Sequence, residues 1–309
     1  MIRVAMLGLM VVAPLLMVAG VSAEARIVFH LRDDAGAPVD TAKVNVFFDM
    51  ADRSKGVRVV SHTDTNGICE VVGQTRGVIE VSLEKEGYYR SKGEICLISQ
   101  GDEHAVSMGR WQPWPLRKDM VLPKVRNPEA VRTERSGWLV TKQLNRWVGF
   151  DVRAHDYVAP WGKGCTADFE VMFDWDGVVG SRYNGMTLRM RFPEKNAGGY
   201  WQNRYLGSDI LGVYNADPHA TYVSEFSWSE VVERDAHGRA RKWNRRLFDS
   251  AQVLVCRSRC RLDEKGKLER ACYFQVSNLE FACDTEGVAM RFVSAYNPLP
   301  NGVNLECSR

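Results

Sequence analysis

TDTNGICEVVGQTRGVIEVSLEKEGYY, residues 63–89, is the stretch that predicts the fold. Its Asn66-Gly67 pair predicts a tight hairpin turn, because both residue types adopt positive φ readily. The carboxylate of Asp64 is expected to accept hydrogen bonds from the turn amides. In the GVIEVSLE segment that follows, apolar and polar residues alternate with a period of two, which is typical of a strand with one buried and one solvated face. Gly87 is expected to end this strand.

The same alternation occurs in RIVFHLR and AKVNVFFD, which precede this stretch. The segments between the predicted strands are rich in Gly, Pro, Asn and Asp, the residues that form turns. Short strands with regular turns and no helical periodicity predict an all-β sandwich over residues 24–100. The side chains predicted to face its core are Ile27, Phe29, Leu31, Val44, Val46, Phe48, Ile79, Val81 and Leu83.

This arrangement resembles the carboxypeptidase regulatory-like domain, a β-sandwich of the prealbumin type. The resemblance covers about a quarter of the chain, residues 25–100. It implies a structural module that accompanies a catalytic, transport or surface domain, and it implies no activity. The positions that carry it are Gly36, Pro38, Val39, Ala42, Val44, Thr63, Asp64, Asn66, Gly67, Gly87 and Tyr88.

The N-terminal residues predict export. Arg3 precedes an almost entirely apolar run at residues 4–21, and Val21-Ser22-Ala23 places small residues before a cleavage site. We predict a signal peptide at residues 1–23 and a secreted or periplasmic chain with no membrane span after cleavage. Because the apolar run is about 18 residues long, an uncleaved membrane anchor is the alternative.

The cysteines predict disulfides. An even number of cysteines in an exported chain favours such bridges. We predict a Cys69–Cys96 pair within the first sandwich and a Cys260–Cys272 pair across a hairpin turn at Lys265-Gly266. Buried free thiols are the alternative. The eight cysteines are Cys69, Cys96, Cys165, Cys256, Cys260, Cys272, Cys283 and Cys307.

A change in composition indicates a second domain. Residues 101–127 are rich in proline and are predicted to be a linker, since proline removes a backbone donor. Residues 128–309 again show alternating segments, including ADFEVMF, MTLRMRF and AQVLVCRSRCRL. They predict a larger, jelly-roll-like β-sandwich, with a short helix considered at 127–135. The closing segment YNPLPNGVNLEC is similar to the tail of secreted bacterial two-domain proteins that carry a regulatory-like sandwich, and this similarity implies an architecture only.

Composition and motifs disfavour several classes of function. The net charge of +3 is too small for a dedicated nucleic-acid surface. The sequence contains no Gly-x-Ser-x-Gly elbow, no His-Glu-x-x-His site and no phosphate loop. We therefore predict no catalytic residues, no cofactor and no resident metal. Asp174 and Asp176 form a weak candidate for a hard cation such as calcium, with a polar turn as the alternative.

Aromatic and basic residues of the second domain are candidates for ligand binding. Aromatic faces stack on sugars while neighbouring polar groups bond their hydroxyls. Arg257, Arg259 and Arg261 alternate along one predicted strand and form a candidate anion-binding face. The alternatives are rings packed in the core and an ordinary solvated sheet face. The aromatic candidates are Trp161, Trp201, Tyr205, Tyr214, Tyr222 and Trp228.

These observations together predict an exported, non-catalytic binding or structural protein. Its C-terminal sandwich is expected to bind a carbohydrate or a cell-envelope partner. One alternative is a secreted glycan hydrolase that uses a carboxylate pair drawn from Glu170, Asp174, Asp176 and Glu225. The other alternative is a purely structural or assembly component of the envelope.

Overall fold

The fold of this chain comes from a computed structural model. Within the described residues it contains strands, turns and bends but no helix, so the all-β prediction is confirmed. The chain forms two compact units, and residues 32–37 and 84–91 belong to the second of them. The described residues are 22–50, 56–98, 106–128, 131–135, 137–175, 183–233, 243–246, 251–284 and 287–307.

Two β-sheets make up the first part of the chain. Their strands are β1 Ala23–Arg32, β2 Lys43–Phe48, β3 Val57–His62, β4 Ile68–Thr75, β5 Val78–Glu84, β6 Ser91–Cys96, β7 Val106–Ser107, β8 Arg110–Trp111 and β9 Leu116–Val121. One sheet has the order β4-β1-β8-β7 with β9 also paired to β1, and it is mixed, because β1 runs antiparallel to β4 but parallel to β8. The other sheet has the order β3-β2-β5-β6.

The predicted alternation in these strands is confirmed. Residues of β1 are alternately buried and partly exposed, and Ile27, Phe29 and Leu31 have no solvent exposure. The same holds for Val44, Val46 and Phe48 of β2. Successive side chains of a strand point to opposite faces, so the period-two pattern decides which residues enter the core.

The turn at Asp64 has one residue with positive φ instead of the predicted two. Gly67 has φ +73°, whereas Asn66 does not reach the left-handed region. Asp64 Oδ1 accepts hydrogen bonds from the backbone N–H of Asn66 at 2.9 Å and of Ile68 at 2.8 Å, as predicted for this carboxylate. A Cβ on Gly67 would lie 2.3 Å from the carbonyl oxygen of Leu31, so the position requires glycine for space as well as for φ.

The predicted linker at 101–127 is not a simple connector. Its described part contains β7, β8 and β9, and both β8 and β9 pair with β1. The prolines of this segment, which prompted the linker prediction, lie between or after the strands, where a missing N–H breaks no ladder hydrogen bond. The linker prediction was therefore wrong for the described part of this segment, because its prolines flank short strands.

The second unit contains two further sheets. Their strands are β10 Arg132–Arg135, β11 Leu139–Thr141, β12 Val148–Asp151, β13 Asp156–Tyr157, β14 Phe169–Trp175, β15 Tyr183–Arg191, β16 Gly198–Asn203, β17 Glu225–Glu233, β18 Trp243–Arg246, β19 Gln252–Leu262, β20 Leu268–Asp284 and β21 Gly287–Tyr296. A seven-stranded sheet has the order β10-β21-β20-β19-β16, with β11 on β21 and β18 on β20, and a five-stranded sheet has the order β13-β12-β14-β15-β17.

A single apolar core lies between these two sheets. It joins Phe169 and Leu188 of the five-stranded sheet to Leu254, Phe274 and Phe292 of the seven-stranded sheet. The alternation predicted for β14 and β15 is thus confirmed for the side chains that the structure describes. The helix considered at 127–135 is a wrong prediction, because residues 132–135 form β10 and pair with β21.

The seven-stranded sheet is buried on both faces along part of β19. Leu254 and Cys256 enter the core between the sheets, while Val253 and Val255 pack on the opposite face with Tyr273. The solvated face considered as an alternative for this strand does not include Val253 and Val255, whereas Arg257 is partly exposed and Arg261 is exposed. Among the described residues, no helix is long and apolar enough to cross a membrane.

Candidate functional site

Three aromatic residues meet at one edge of the second sandwich, and we call them the edge cluster: Trp201, Phe226 and Trp228. Trp201 lies on β16, the last strand of the seven-stranded sheet, and the other two lie on β17, the last strand of the five-stranded sheet. The Trp201 ring centroid is 6.0 Å from that of Phe226 and 6.4 Å from that of Trp228. The Phe226 and Trp228 rings stack at 6.1 Å.

The edge cluster is half-buried because of where its strands lie. In the β15–β17 register, Trp228 is opposite Leu188 and Phe226 is opposite Met190, so both rings point toward the core. All three side chains pack against that core but remain partly exposed. β16 and β17 end their sheets, and although Gly199 of β16 forms a bridge with Val223, part of each ring stays accessible.

The other aromatic candidates do not join the edge cluster. Tyr205 and Tyr214 contact each other with ring centroids 5.9 Å apart, and the Tyr214 hydroxyl donates to the carbonyl of Lys124 at 2.6 Å. The Arg126 guanidinium lies 4.1 Å from the centroid of the Tyr214 ring. Burial raises the pKa of Tyr214 well above its ordinary value, which is consistent with a packed ring whose hydroxyl stays neutral.

Tyr222 and Trp161 lie at further separate places. The Tyr222 hydroxyl donates to the carbonyl of Asp217 at 2.9 Å, and its ring makes an edge contact with Tyr200 at 5.2 Å. Trp161 lies in a loop and is 40% exposed. The six aromatic candidates therefore do not form one platform, and only Trp201 and Trp228 are brought together with part of their rings exposed.

The three arginines do not share a face. Arg257 donates to the carbonyls of Asn196 and Pro218 at 2.9 and 3.1 Å, and exposed Arg261 pairs with Glu269 at 3.2 Å. Arg259 turns elsewhere, because the β19–β20 register shifts between Ser258 and Arg261, and Arg259 has φ +50°. A β-bulge breaks the period-two alternation on which the prediction of a common face depended.

Arg259 is part of a buried ionic network that the sequence did not reveal. Its Nε and Nη2 donate to the two carboxylate oxygens of Asp168 at 2.8 and 2.9 Å, and Nη2 also reaches Asp151 Oδ1 at 2.8 Å. Ser258 Oγ donates to Asp168 Oδ1 at 2.6 Å, and the backbone N–H of Val152 donates to Oδ2 at 2.8 Å. Asp168 is only 3% exposed, so its carboxylate occupies the Arg259 guanidinium in the interior. The network therefore connects β19 to the segments that carry Asp151 and Asp168 and is not an accessible anion site.

Asp151 is held as a carboxylate by its surroundings. Burial acts to raise its pKa, but the backbone N–H groups of Cys165, Thr166 and Ala154 and the charge of Arg259 bring it below the ordinary value. Asp151 and Asp168 lie about a hundred residues from Arg259 in the chain, as the 108- and 91-residue separations of the bonds show. No local motif links such distant residues, so sequence reasoning had no signal for this network.

Of the carboxylates considered for hydrolysis, Glu170, Asp174 and Glu225 lie on the outer face of the five-stranded sheet. Arg191 Nε pairs with Glu170 at 2.6 Å, and Arg189 Nε pairs with Asp174 at 2.8 Å. Glu225 is opposite Arg191 in the next strand. Glu170 and Asp174 are four residues apart on one strand, roughly 13 Å, which exceeds the distance of about 5–10 Å that separates the carboxyl groups used in glycoside cleavage. Glu170 and Glu225 lie on either side of Arg191 at two strand spacings, roughly 10 Å, the upper limit of that range.

The weak calcium candidate gains no support from its surroundings. Asp174 is ion-paired, and Asp176 lies outside the described residues. Among the residues that the structure does describe, no group of three or more His, Cys, Asp or Glu side chains is arranged to hold a metal ion.

The seven cysteines with described side chains are free thiols, and the side chain of Cys283 lies outside the description. Cys69 and Cys96 lie on β4 and β6, which belong to different sheets. The predicted hairpin between β19 and β20 is present, but Cys272 is opposite Ser258 instead of Cys260. The reason is that the turn is centred on Lys265, with Leu262 opposite Leu268, and not on Gly266. Burial raises the pKa of the Cys260 thiol to about 11.

Comparison with known proteins gives only remote matches. No protein-family model and no curated protein matches the chain. Among solved structures, chlorocatechol 1,2-dioxygenase from Pseudomonas putida matches at 12% identity and a TM-score of 0.27, over 33% of this chain and 61% of that one. Wild-type catechol 1,2-dioxygenase from Acinetobacter radioresistens matches at 15% identity and a TM-score of 0.26, over 35% of this chain and 55% of that one. This chain thus spans less than two thirds of either enzyme, and at these TM-scores the matches support no inference about its activity.

Proposed function

We propose that this chain is an exported, non-catalytic binding protein whose second sandwich holds a carbohydrate or another cell-envelope component at the edge cluster. The observation that carries the proposal is the meeting of Trp201 and Trp228, with part of each ring exposed, on the edge strands of two facing sheets. A partly exposed aromatic face gives a sugar ring an apolar surface on which to stack.

One polar side chain beside the edge cluster can serve such a site. Asn203 lies two residues beyond Trp201 on β16, so it points to the same face of the strand as the Trp201 ring, and it is exposed. It would supply a donor and an acceptor for a ligand hydroxyl, while the rings contribute apolar contact area. Ser227 and Ser229 alternate with the rings on β17 and therefore point to the opposite face of that sheet.

Binding of the purified chain to a glycan array tests the proposal. Trp228→Ala, and Trp228→Leu as a variant that keeps an apolar side chain at the edge, are expected to weaken selective binding at least tenfold, which is about 1.4 kcal/mol. Trp161→Ala is the matched control, since Trp161 is also exposed but lies outside the cluster. Circular dichroism checks that each variant is folded.

Two results would contradict the proposal. Binding that survives both Trp228 substitutions, or that Trp161→Ala reduces equally, would exclude the edge cluster as its location. A folded, monodisperse chain that binds no glycan on the array would favour the structural or assembly role.

Export and disulfide formation belong to the same proposal. Cleavage after Ala23 would release a chain that begins at Glu24, and an oxidising compartment would favour the Cys69–Cys96 and Cys260–Cys272 pairs. The test is mass spectrometry of the chain expressed with its own N-terminus. The intact mass shows whether residues 1–23 are removed, and peptide masses show which cysteines are paired. A chain that keeps residues 1–23 and has only free thiols would contradict this part of the proposal.

A further inference from the structure

A groove of about 430 Å³ lies on the outer face of the four-stranded sheet of the first unit. Its walls include side chains from all four strands, β2, β3, β5 and β6, and the argument below uses six of them: Asn45, Phe47, Arg58, Glu80, Lys92 and Glu94. The volume lies within the roughly 300–1,000 Å³ that is typical of small-molecule sites. None of these residues belongs to the edge cluster.

The floor of the groove is partly aromatic. Phe47 is half-buried, and its ring lies directly over Gly56, where an added Cβ would come within 2.2 Å of the ring. In the β2–β3 register Phe47 is opposite Arg58, and Asn45 is opposite Val60, which is 51% exposed. The groove thus has an aromatic ring bordered by polar side chains, the combination that suits a ligand with both apolar and hydroxyl-bearing faces.

Asn45 contributes a polar atom that lacks a partner. Its Oδ1 is buried and accepts no hydrogen bond from any described residue. Buried polar side-chain atoms in folded proteins nearly always have a partner, so an exception calls for an explanation. A ligand hydroxyl that enters the groove would supply the missing donor.

The charged side chains around the groove cancel one another. Arg58 and Lys92 provide two positive charges, and Glu80 and Glu94 provide two negative charges. None of the four forms an ion pair with another residue in the described part of the chain. They therefore offer donors and acceptors of both kinds without a net field, which disfavours a strongly charged ligand.

We propose that this groove binds a neutral saccharide of one or two sugar units. The apolar face of a sugar ring would rest on Phe47, and its hydroxyls, which both donate and accept, would bond Asn45 and the four charged side chains. The proposal does not depend on the edge cluster, because every residue that it uses lies on β2, β3, β5 or β6.

The test is an NMR titration of the ¹⁵N-labelled full chain with cellobiose, maltose and N,N′-diacetylchitobiose, each at millimolar concentrations. At least one of these saccharides is expected to shift the amide signals of β2, β5 and β6. Asn45→Ala and Glu80→Ala should each weaken that binding at least fivefold, and Asn45→Asp, which keeps an acceptor oxygen, should retain more of it than Asn45→Ala. Glu70→Ala is the matched control, since Glu70 is an exposed carboxylate on β4 of the other sheet.

The outcomes separate this groove from the edge cluster. Trp228→Ala should leave the β2, β5 and β6 shifts unchanged, so the two proposals can fail independently. The groove proposal is overturned if none of the three saccharides shifts these amides, if Asn45→Ala and Glu80→Ala bind as tightly as the unmodified chain, or if the shifts appear only around Trp201 and Trp228. Tighter binding of glucuronic acid or glucosamine than of the neutral sugars would overturn the ligand class.

Discussion

Replacement of Asp168 by alanine tests whether the buried ionic network stabilises the second unit. The Asp168 side chain accepts four hydrogen bonds, two from Arg259 and one each from Ser258 and Val152. Without it, Arg259 keeps its bond to Asp151, but the Ser258 hydroxyl and the Val152 N–H lose their acceptor. Removal of one partner from a buried ion pair costs about 3–5 kcal/mol. Because the Arg259 side chain is 21% exposed, we expect the lower end of this range.

Thermal unfolding followed by tryptophan fluorescence measures the effect. Seven of the nine tryptophans lie in residues 121–309, since only Trp111 and Trp114 precede them, so the signal reports mainly on the second unit. For a unit of this size, each kcal/mol shifts Tm by about 2–4 °C, so a cost of about 3 kcal/mol, the lower end of the range, would lower Tm by about 6–12 °C. Glu269→Ala is the control, because its pair with Arg261 has 54% and 75% exposed side chains and should contribute less than about 1 kcal/mol.

The conservative variant Asp168→Asn sharpens this test. Its amide oxygen can still accept a hydrogen bond from the Ser258 hydroxyl, so it should lose less stability than Asp168→Ala. The reasoning is refuted if Asp168→Ala lowers Tm no more than Glu269→Ala does. It is also refuted if Asp168→Asn unfolds at a lower temperature than Asp168→Ala.

Two further predictions concern pH and backbone conformation. Burial holds the pKa of His155 below its ordinary value of 6.5, against the opposing charges of Glu134 and Asp156. As pH falls through 6.5, the unfolded chain binds a proton before the folded chain does, so the stability contributed by neutral His155 is full above that pH and declines below it. The urea concentration at the unfolding midpoint should therefore fall less between neutral and acidic pH in His155→Asn than in the unmodified chain. An equal fall in both would contradict this prediction. Gly67→Ala should lower Tm more than Gly36→Ala does. Both glycines have positive φ, but of the two only Gly67 would bring an added Cβ against a backbone atom. An equal decrease in Tm for both variants would contradict this reasoning.

The sequence by itself determined the fold class and most of the inward-facing residues of the first sandwich. Ile27, Phe29 and Leu31 enter the core as the alternation predicted. This inference succeeds because side-chain direction in a strand follows from local backbone geometry. The Asp64 turn was predictable for the same reason, since its carboxylate bonds amides two and four residues ahead.

Only the tertiary structure decided which residues make up the candidate sites. The bulge at Arg259 redirects one side chain of an otherwise regular strand, and its partners Asp151 and Asp168 come from strands and loops about a hundred residues earlier. Trp201 and Trp228 meet because their strands are the edges of two facing sheets. The local alternation of apolar residues does not specify the order of strands in a sheet. Alternation reports on neighbours along the chain, whereas a site is assembled from contacts between strands that are distant in sequence, and strand order and register decide those contacts.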